Sequence, residues 1–181
     1  MTEYRYKKNF IDQEKTFQLS DDRLIIHSED QHEEINYSDL KMLILRYSSS
    51  RYRRRQFRCT LVTEAGRQIE FTDKYYNSIG KFYDQSEEYR FFVEEMHDRM
   101  IKNNPDIICW GGMRVMNYYF SLIISLLLQL FLLILLVSLL GPIGIIPVIF
   151  FVWRLSLFYY RNKPELYHPS AIPERLLPES R

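Results

Sequence analysis

The chain has 181 residues, with 24 Lys and Arg against 23 Asp and Glu and a formal net charge of +1 at pH 7. Residues 1–106 carry a net charge of −2 and residues 107–181 one of +3, so neither part has the cationic excess typical of a nucleic-acid-binding protein. Two cysteines are too few for a disulfide framework, and the length allows one small globular domain.

Short segments with strand-like alternation, separated by polar turns, open the chain and predict a meander of about six strands. They are residues 15–19, 23–27, 34–37, 41–47, 57–63 and 68–72. After them, apolar side chains recur with the period of one amphipathic helix that ends at Pro105; they are Tyr89, Phe92, Val93, Met96 and Met100. This order predicts an α+β domain over residues 1–105, an antiparallel barrel or sandwich capped by one C-terminal helix.

A long uncharged run follows the domain. Residues 115–153 contain no Asp, Glu, Lys or Arg, and these 39 residues are enough to enter a bilayer twice. We predict one transmembrane helix over residues 117–140 and a second over residues 143–160, with a break between them at Gly141-Pro142. Arg154 interrupts the second run close to its end, where its side chain can snorkel. The alternative is that the second segment does not fully cross the membrane.

Basic residues set the expected orientation. They flank the two outer ends of the predicted hairpin and are absent from its central turn; they are Lys102, Arg114, Arg154, Arg161 and Lys163. We therefore expect a multi-pass protein of the inner (plasma) membrane with both termini in the cytoplasm. Residues 106–116 are the predicted juxtamembrane linker, and residues 162–181 are a proline-rich cytoplasmic tail. The first ten residues are charged and lack an apolar run, so we expect no signal peptide.

Polar residues inside the first predicted helix recur every four positions, at Asn117, Ser121, Ser125 and Gln129. This spacing predicts an intramembrane polar seam against the second helix, and folding the hairpin brings Arg154 level with the part of the seam between Ser125 and Gln129. We expect Gln129 to hold Arg154. The other interpretation, a polar path for an ion or proton, lacks the acidic or histidine relays that such paths use.

The domain and tail together resemble a known group. The segment Ile35-Asn36-Tyr37-Ser38-Asp39-Leu40, followed by a strand, a hairpin and the amphipathic helix, resembles a bacterial pleckstrin-homology-like (PH-like) domain over residues 15–102. The ending resembles that of small bacterial membrane proteins that pair such a domain with two membrane helices. It comprises Arg161-Asn162-Lys163-Pro164, Tyr167, Pro169, Ile172-Pro173 and Leu176-Leu177-Pro178. The resemblance implies a fold and a topology, and it implies no reaction.

An arginine-rich loop lies between two predicted strands and carries Arg51, Arg53, Arg54 and Arg55. Near an anionic membrane surface each arginine contributes about 1 kcal/mol, so this loop is the predicted lipid- or phosphate-binding site. The alternative is a solvated hairpin tip balanced by the acidic residues 29–34. RNA binding is disfavoured by the net charge of the domain.

Catalytic patterns are weak, and we predict no catalytic residue, metal or cofactor. Ser78-Ile79-Gly80-Lys81 matches a four-residue nucleophile motif but lacks its partner motifs. His27 and His32 flank an acidic turn, where solvated strand-end histidines are more common than a metal site. No glycine-rich phosphate loop or paired cysteine ligands occur in the sequence.

The tail carries prolines at positions 164, 169, 173 and 178 and is predicted to be extended. Its apolar residues predict docking, either on the protein's own domain or on a partner; they are Tyr167, Ile172, Leu176 and Leu177, with Leu166 beside them.

The sequence as a whole predicts a non-enzymatic, membrane-anchored scaffold or accessory module. It would contact a protein partner and membrane lipids, including anionic inner-leaflet lipid, at the cytoplasmic face. An accessory subunit of a transport or channel assembly is the alternative, and a membrane-bound enzyme is a third interpretation.

Overall fold

The computed structural model describes residues 2–29, 31–48, 56–78 and 81–179. A four-stranded antiparallel sheet opens the domain, with its strands in chain order: β1 (Thr2–Tyr6), β2 (Lys15–Leu19), β3 (Arg23–Ser28) and β4 (Gln31–Asn36). The predicted α+β class is confirmed, and the predicted arginine loop lies outside the described residues.

A second, five-stranded sheet is mixed. Its antiparallel part is β5 (Leu40–Ser48), β6 (Gln56–Thr63) and β7 (Gln68–Thr72). Beyond β7 come the hairpin β8 (Lys74–Ser78) and β9 (Lys81–Asp84) and then helix α1 (Ser86–Asn103). The apolar stripe of α1 is buried, together with His97.

Aromatic side chains from both sheets and from α1 form the centre of the core. They are Tyr4, Phe17, Phe71, Tyr89 and Phe92, and each is at most 1% exposed. The rings of Tyr4 and Phe92 lie 5.3 Å apart, and the Tyr4 hydroxyl donates a hydrogen bond of 2.6 Å to the Thr72 carbonyl oxygen. Such ring contacts contribute about 0.5–1.5 kcal/mol each beyond the burial of apolar area. The helix therefore closes the space between the two sheets.

Two short strands complete the second sheet from outside the predicted domain. β10 (Ile108–Gly111) runs parallel to β5, and β11 (Glu165–Tyr167) pairs antiparallel with β10. The first lies in the predicted linker and the second in the predicted tail. Both segments bordering the apolar run thus belong to the sheet.

The apolar run is helical throughout. It consists of α2 (Val115–Leu140), a 3-10 turn (Gly141–Gly144) and α3 (Ile145–Arg161). Together these form one segment, Val115–Arg161, that is long and apolar enough to cross a membrane. No residue of α2 is buried, and most of its leucine, isoleucine and phenylalanine side chains are exposed in the described protein.

α2 and α3 also contact each other. The Tyr118 and Tyr159 rings lie 5.6 Å apart, and Gly144 packs on the backbone of Leu136 so closely that a Cβ atom would overlap the Leu136 carbonyl. Glycine is therefore required where the 3-10 turn meets α2. The predicted two-span membrane arrangement stays a prediction.

Candidate functional site

The two ends of the apolar segment meet at the second sheet. Gly112 N–H donates to the Leu45 carbonyl at 2.8 Å, and Met113 N–H donates to the Asn162 carbonyl at 3.0 Å. Arg46 Nε donates to the Gly112 carbonyl at 3.1 Å. We call Gly112, Met113 and Asn162 the junction. The apolar segment therefore leaves the domain and returns to it at one place, without a free linker.

Glycine and asparagine fit the junction for different reasons. Gly112 has φ +79° and lies so close to the carbonyl groups of Asn162 and Lys163 that a side chain would overlap them. Asn162 is only 1% exposed, and its side-chain amide donates to the Phe158 carbonyl at 3.0 Å. The Asn162 backbone N–H donates to the same carbonyl at 3.0 Å, so Asn162 closes the last turn of α3 with both its backbone and its side chain.

The tail lies on its own domain. Leu176 and Leu177 belong to the buried core, and Tyr167 and Ile172 pack against that core. Gly111 provides the space for Leu176, because a Cβ there would overlap the leucine side chain. All four predicted docking residues thus contact the chain that carries them.

Arg175 fastens the tail to the end of α3. Its Nη1 donates to the carbonyl oxygens of Tyr160 and Arg161, both at 3.3 Å, and of Lys163 at 3.1 Å. Its Nη2 forms an ion pair with Glu165. A cation at this position is favourable because the last carbonyls of a helix carry partial negative charge. The tail therefore depends on α3 as well as on the domain.

Tyr167 docks against a buried histidine. His97 Nδ1 lies 2.7 Å from the Val93 carbonyl and must donate to it, so Nε2 accepts from the Tyr167 hydroxyl at 3.1 Å. Burial lowers the pKa of His97 to about 4. The nearby Cys109 thiol has a pKa raised by burial to about 12. Both groups are uncharged at neutral pH, so the Cys109 thiol is not the thiolate that nucleophilic chemistry requires.

A polar cavity of about 390 Å³ opens between the first turn of α1, β8 and the end of the tail. We call it the basal cavity; its charged lining includes Asp73, Lys74, Asp84, Glu87, Glu88 and Arg161. Asp73 is fully buried and accepts a hydrogen bond of 3.0 Å from Phe57 N–H. Burial raises the pKa of Asp73 to about 6, although Lys74 Nζ lies 3.2 Å away and opposes the shift. Sequence reasoning missed this cavity, because residues from segments far apart in the sequence form it.

The predicted polar seam is only partly assembled. Tyr159 donates to the Ser121 carbonyl at 2.7 Å, and the Ser125 hydroxyl lies 2.5 Å from the Tyr159 oxygen, to which it donates. Tyr159 is the seam member that the sequence analysis missed. Folding the hairpin brings Tyr159 close to the level of Ser125, and this alignment could have indicated the contact from the sequence.

The expected Gln129–Arg154 contact is not formed. Asn117 and Arg154 are exposed, and within the described ranges no hydrogen bond or ion pair joins Arg154 to Gln129. Depth along a helix follows from its rise per residue, but the side that a residue faces follows from its rotation of about 100° per residue. The depth of Arg154 along the helix was therefore easier to predict than the side of the helix on which it lies.

The predicted lipid-binding residues Arg51, Arg53, Arg54 and Arg55 lie outside the described residues. At the base of their loop, Ser48 pairs with Gln56 and Arg46 pairs with Arg58 across β5 and β6. Burial, with the nearby Arg114 and Arg58, lowers the pKa of Arg46. The described residues thus place further cations beside the junction, on the strands that carry the loop.

The histidine pair lies on the outer sheet. His27 and His32 face each other on β3 and β4 with their Nδ1 atoms 3.1 Å apart, and His32 Nε2 lies 3.1 Å from Glu34. Within residues 2–29, 31–48, 56–78 and 81–179, no three His, Cys, Asp or Glu side chains group as a metal site.

No protein-family model and no curated protein matches the chain. A functional assignment for this chain therefore depends on the geometry of the junction, the basal cavity and the helical segment.

Proposed function

We propose that this chain is a non-enzymatic, membrane-anchored PH-like module that acts at the cytoplasmic membrane face by contacts with proteins and anionic lipids. The junction carries the proposal. A hydrogen bond of 3.0 Å between Met113 and Asn162 joins the start and the end of the apolar segment at the edge of the domain. With α2 and α3 in the bilayer, the domain is held directly at the headgroups.

Several features support the finer parts of the proposal. A four-stranded meander and a three-stranded meander closed by one helix are consistent with a PH-like core. The contact between Tyr118 and Tyr159 and the turn at Gly141–Gly144 are consistent with a hairpin that crosses twice. The flanking cations favour a cytoplasmic domain and tail.

The anionic-lipid contact is assigned to Arg51, Arg53, Arg54 and Arg55. Its test uses the full chain in phosphatidylcholine nanodiscs with or without phosphatidylglycerol, followed by amide hydrogen exchange. We expect the anionic lipid to slow exchange in β5 and β6 of the wild-type protein at low salt. Replacing the four arginines with Gln should abolish this difference. Equal exchange in both nanodiscs for the wild-type protein contradicts the lipid role.

A second candidate function is an accessory subunit of a transport or channel assembly. One observation favours it: Asn117 and Arg154 are exposed on the helical segment, and lipid chains offer them no hydrogen-bond partner. Helices of a larger membrane protein would offer one. Purification in mild detergent should then retain a membrane transporter with the wild-type chain and lose it with Asn117→Leu and Arg154→Leu. Retention by both variants contradicts this candidate.

A further inference from the structure

We infer that His27 and His32 together bind one divalent transition-metal ion, such as Zn²⁺, through their Nδ1 atoms. The two residues lie directly opposite each other on the antiparallel strands β3 and β4, and both are exposed. Opposite residues in such a pair have Cβ atoms about 4.5–5.5 Å apart, so two imidazole rings there can reach a common ion. The inference goes beyond the proposed function and does not depend on membrane anchoring, because the pair belongs to the first sheet.

The spacing of the ring nitrogens fits one ion. The two Nδ1 atoms lie 3.1 Å apart, and the centroids of the two rings lie 4.7 Å apart. Zinc binds imidazole nitrogen at about 2.0–2.1 Å, so two nitrogens on one tetrahedral zinc ion lie about 3.3 Å apart. The two histidines therefore already have close to the spacing of a chelating pair.

The far nitrogen of the His32 ring is held by a carboxylate. His32 Nε2 lies 3.1 Å from Glu34 Oε1, and Glu34 also accepts a hydrogen bond of 2.7 Å from Arg23 Nη1. The bonds from Arg23 and His32 hold the pKa of Glu34 below its ordinary value, so this carboxylate is ionised at neutral pH and can only accept. Neutral His32 therefore carries its proton on Nε2 and presents the lone pair of Nδ1 to His27.

The far nitrogen of the His27 ring is held by an amide. His27 Nε2 lies 3.3 Å from Gln18 Oε1, and Gln18 Nε2 donates to Glu3 Oε1 at 3.4 Å. The bond to the Glu3 carboxylate determines which end of the Gln18 amide faces the histidine, and that end is the accepting oxygen. Neutral His27 therefore also carries its proton on Nε2 and presents the lone pair of Nδ1 to His32.

Two lone pairs that face each other favour a cation between them. With both protons on Nε2, the Nδ1 atoms have no N–H between them and repel each other at 3.1 Å. A metal ion accepts both lone pairs at once, whereas a proton is bonded to one nitrogen at a time. Metal-binding histidines typically donate their other ring N–H to a carboxylate or carbonyl oxygen, which orients the ring and raises its basicity. His27 and His32 both have this partner, and it points to a metal ion.

The ligand atoms select the class of metal. Imidazole nitrogen suits Zn²⁺, Cu²⁺ and Ni²⁺, whereas Mg²⁺ and Ca²⁺ prefer oxygen ligands. The described part of the chain adds no third His, Cys, Asp or Glu ligand to the pair, so water completes the coordination. We therefore expect one reversibly bound transition-metal ion per chain.

Calorimetric titration of the full, tag-free and chelator-treated chain in detergent with zinc chloride tests the inference. We expect one saturable Zn²⁺ site per chain and no binding of Mg²⁺ at the same concentrations. His27→Gln and His32→Gln each remove a ligand and should weaken Zn²⁺ binding at least about tenfold, since even the loss of an outer hydrogen-bond partner of a metal-binding histidine costs about 10–100-fold. The matched control is His168→Gln, which removes an exposed histidine of the tail and should keep the site.

Heteronuclear NMR of the histidine rings in the wild-type chain gives a readout that does not depend on any variant. We expect Zn²⁺ to shift the Nδ1 resonances of His27 and His32. The resonances of His97 should not move, because that ring is buried and its Nδ1 donates to the Val93 carbonyl.

Four outcomes overturn the inference. They are the absence of saturable Zn²⁺ binding by the wild-type chain, binding that survives both His27→Gln and His32→Gln, equal weakening by His168→Gln, and ring resonances that show a proton shared between the two Nδ1 atoms with no response to Zn²⁺. All three variants change exposed side chains, so their far-ultraviolet circular dichroism should match that of the wild-type chain.

Discussion

Asp73 is a carboxylate whose ionisation the fold opposes. Its pKa is raised from 3.8 to about 6 because the side chain is buried, and the ion pair with Lys74 offsets only part of that effect. Between these two values the folded chain binds the proton more tightly than the unfolded chain, so stability falls as the pH rises. The whole effect is at most about 3 kcal/mol, since each pKa unit corresponds to about 1.36 kcal/mol.

We therefore predict that the Asp73 carboxyl titrates near pH 6 in the folded protein. A carbon-detected NMR titration of the detergent-solubilised chain, with Asp73→Asn for assignment, measures this pKa. Asp22 is the internal control, because its hydrogen bond with Arg23 lowers the pKa of that carboxyl. A titration of Asp73 at or below its ordinary value would contradict the burial of this group. Asp73→Asn should also flatten the decline in thermal stability between pH 4 and 6.

Tyr159 is the polar residue that links α2 to α3. Replacing it with Phe removes the bonds to Ser121 and Ser125 and leaves the ring contacts with Tyr118 in place. We expect a loss of about 0.6–1.7 kcal/mol, the range for such bonds in membranes. The matched control is Tyr160→Phe, because Tyr160 is 65% exposed. Steric-trap or denaturant unfolding in bicelles measures the free energy of unfolding of both variants. Equal losses of stability would show that the Tyr159 hydrogen bonds do not stabilise the contact between α2 and α3.

The tail is an element whose docking depends on two leucines. Leu176→Ala should cost about 2–5 kcal/mol because it opens a cavity beside Gly111 in the core. The control is Leu166→Ala, since Leu166 is 63% exposed on β11. We expect Leu176→Ala, but not Leu166→Ala, to make residues 165–179 susceptible to limited proteolysis. Equal resistance of the two variants would mean that the buried leucine does not hold the tail.

The elements that sequence could predict are those with enough residues to show a period. The alternation in β5 and β6 and the apolar stripe of α1 each extend over several positions. β10 has four residues and β11 has three, so neither contains a readable period. Each becomes a strand only because a neighbour already offers free backbone groups, which is a tertiary effect.

The candidate sites differ in the same way: some show a local sequence pattern, and others form only through tertiary contacts. The cation asymmetry and the uncharged run are local in sequence and predicted a membrane segment. The basal cavity combines β8, the start of α1 and the end of the tail, which are separated by up to about a hundred residues, and no spacing rule relates them. The predicted Arg154 contact was wrong because the depth of a residue along a helix does not determine the side that it faces.

At the scale of the whole molecule, the proposed topology makes a labelling prediction. Cys59 and Cys109 are buried, so the native thiols give a low background for cysteine labelling. With both termini cytoplasmic, Ser170→Cys and Glu64→Cys should resist a membrane-impermeant maleimide added outside cells. Ile143→Cys, in the turn between α2 and α3, should react. Labelling of Ser170→Cys from outside would contradict a second crossing.

The junction also determines how the domain meets its surroundings. A domain on a flexible linker takes many orientations relative to the membrane, so each of its faces is at times turned toward the cytoplasm. Here Gly112, just before the helical segment, is bonded to Leu45 of the sheet, and Met113 is bonded to Asn162 at the end of the segment, so on the proposed topology the domain keeps one height and one orientation above the bilayer. A partner would then meet a fixed surface and lose little rotational freedom of the domain on binding. Inserting a glycine-serine spacer after Met113 would let the domain change its orientation above the bilayer.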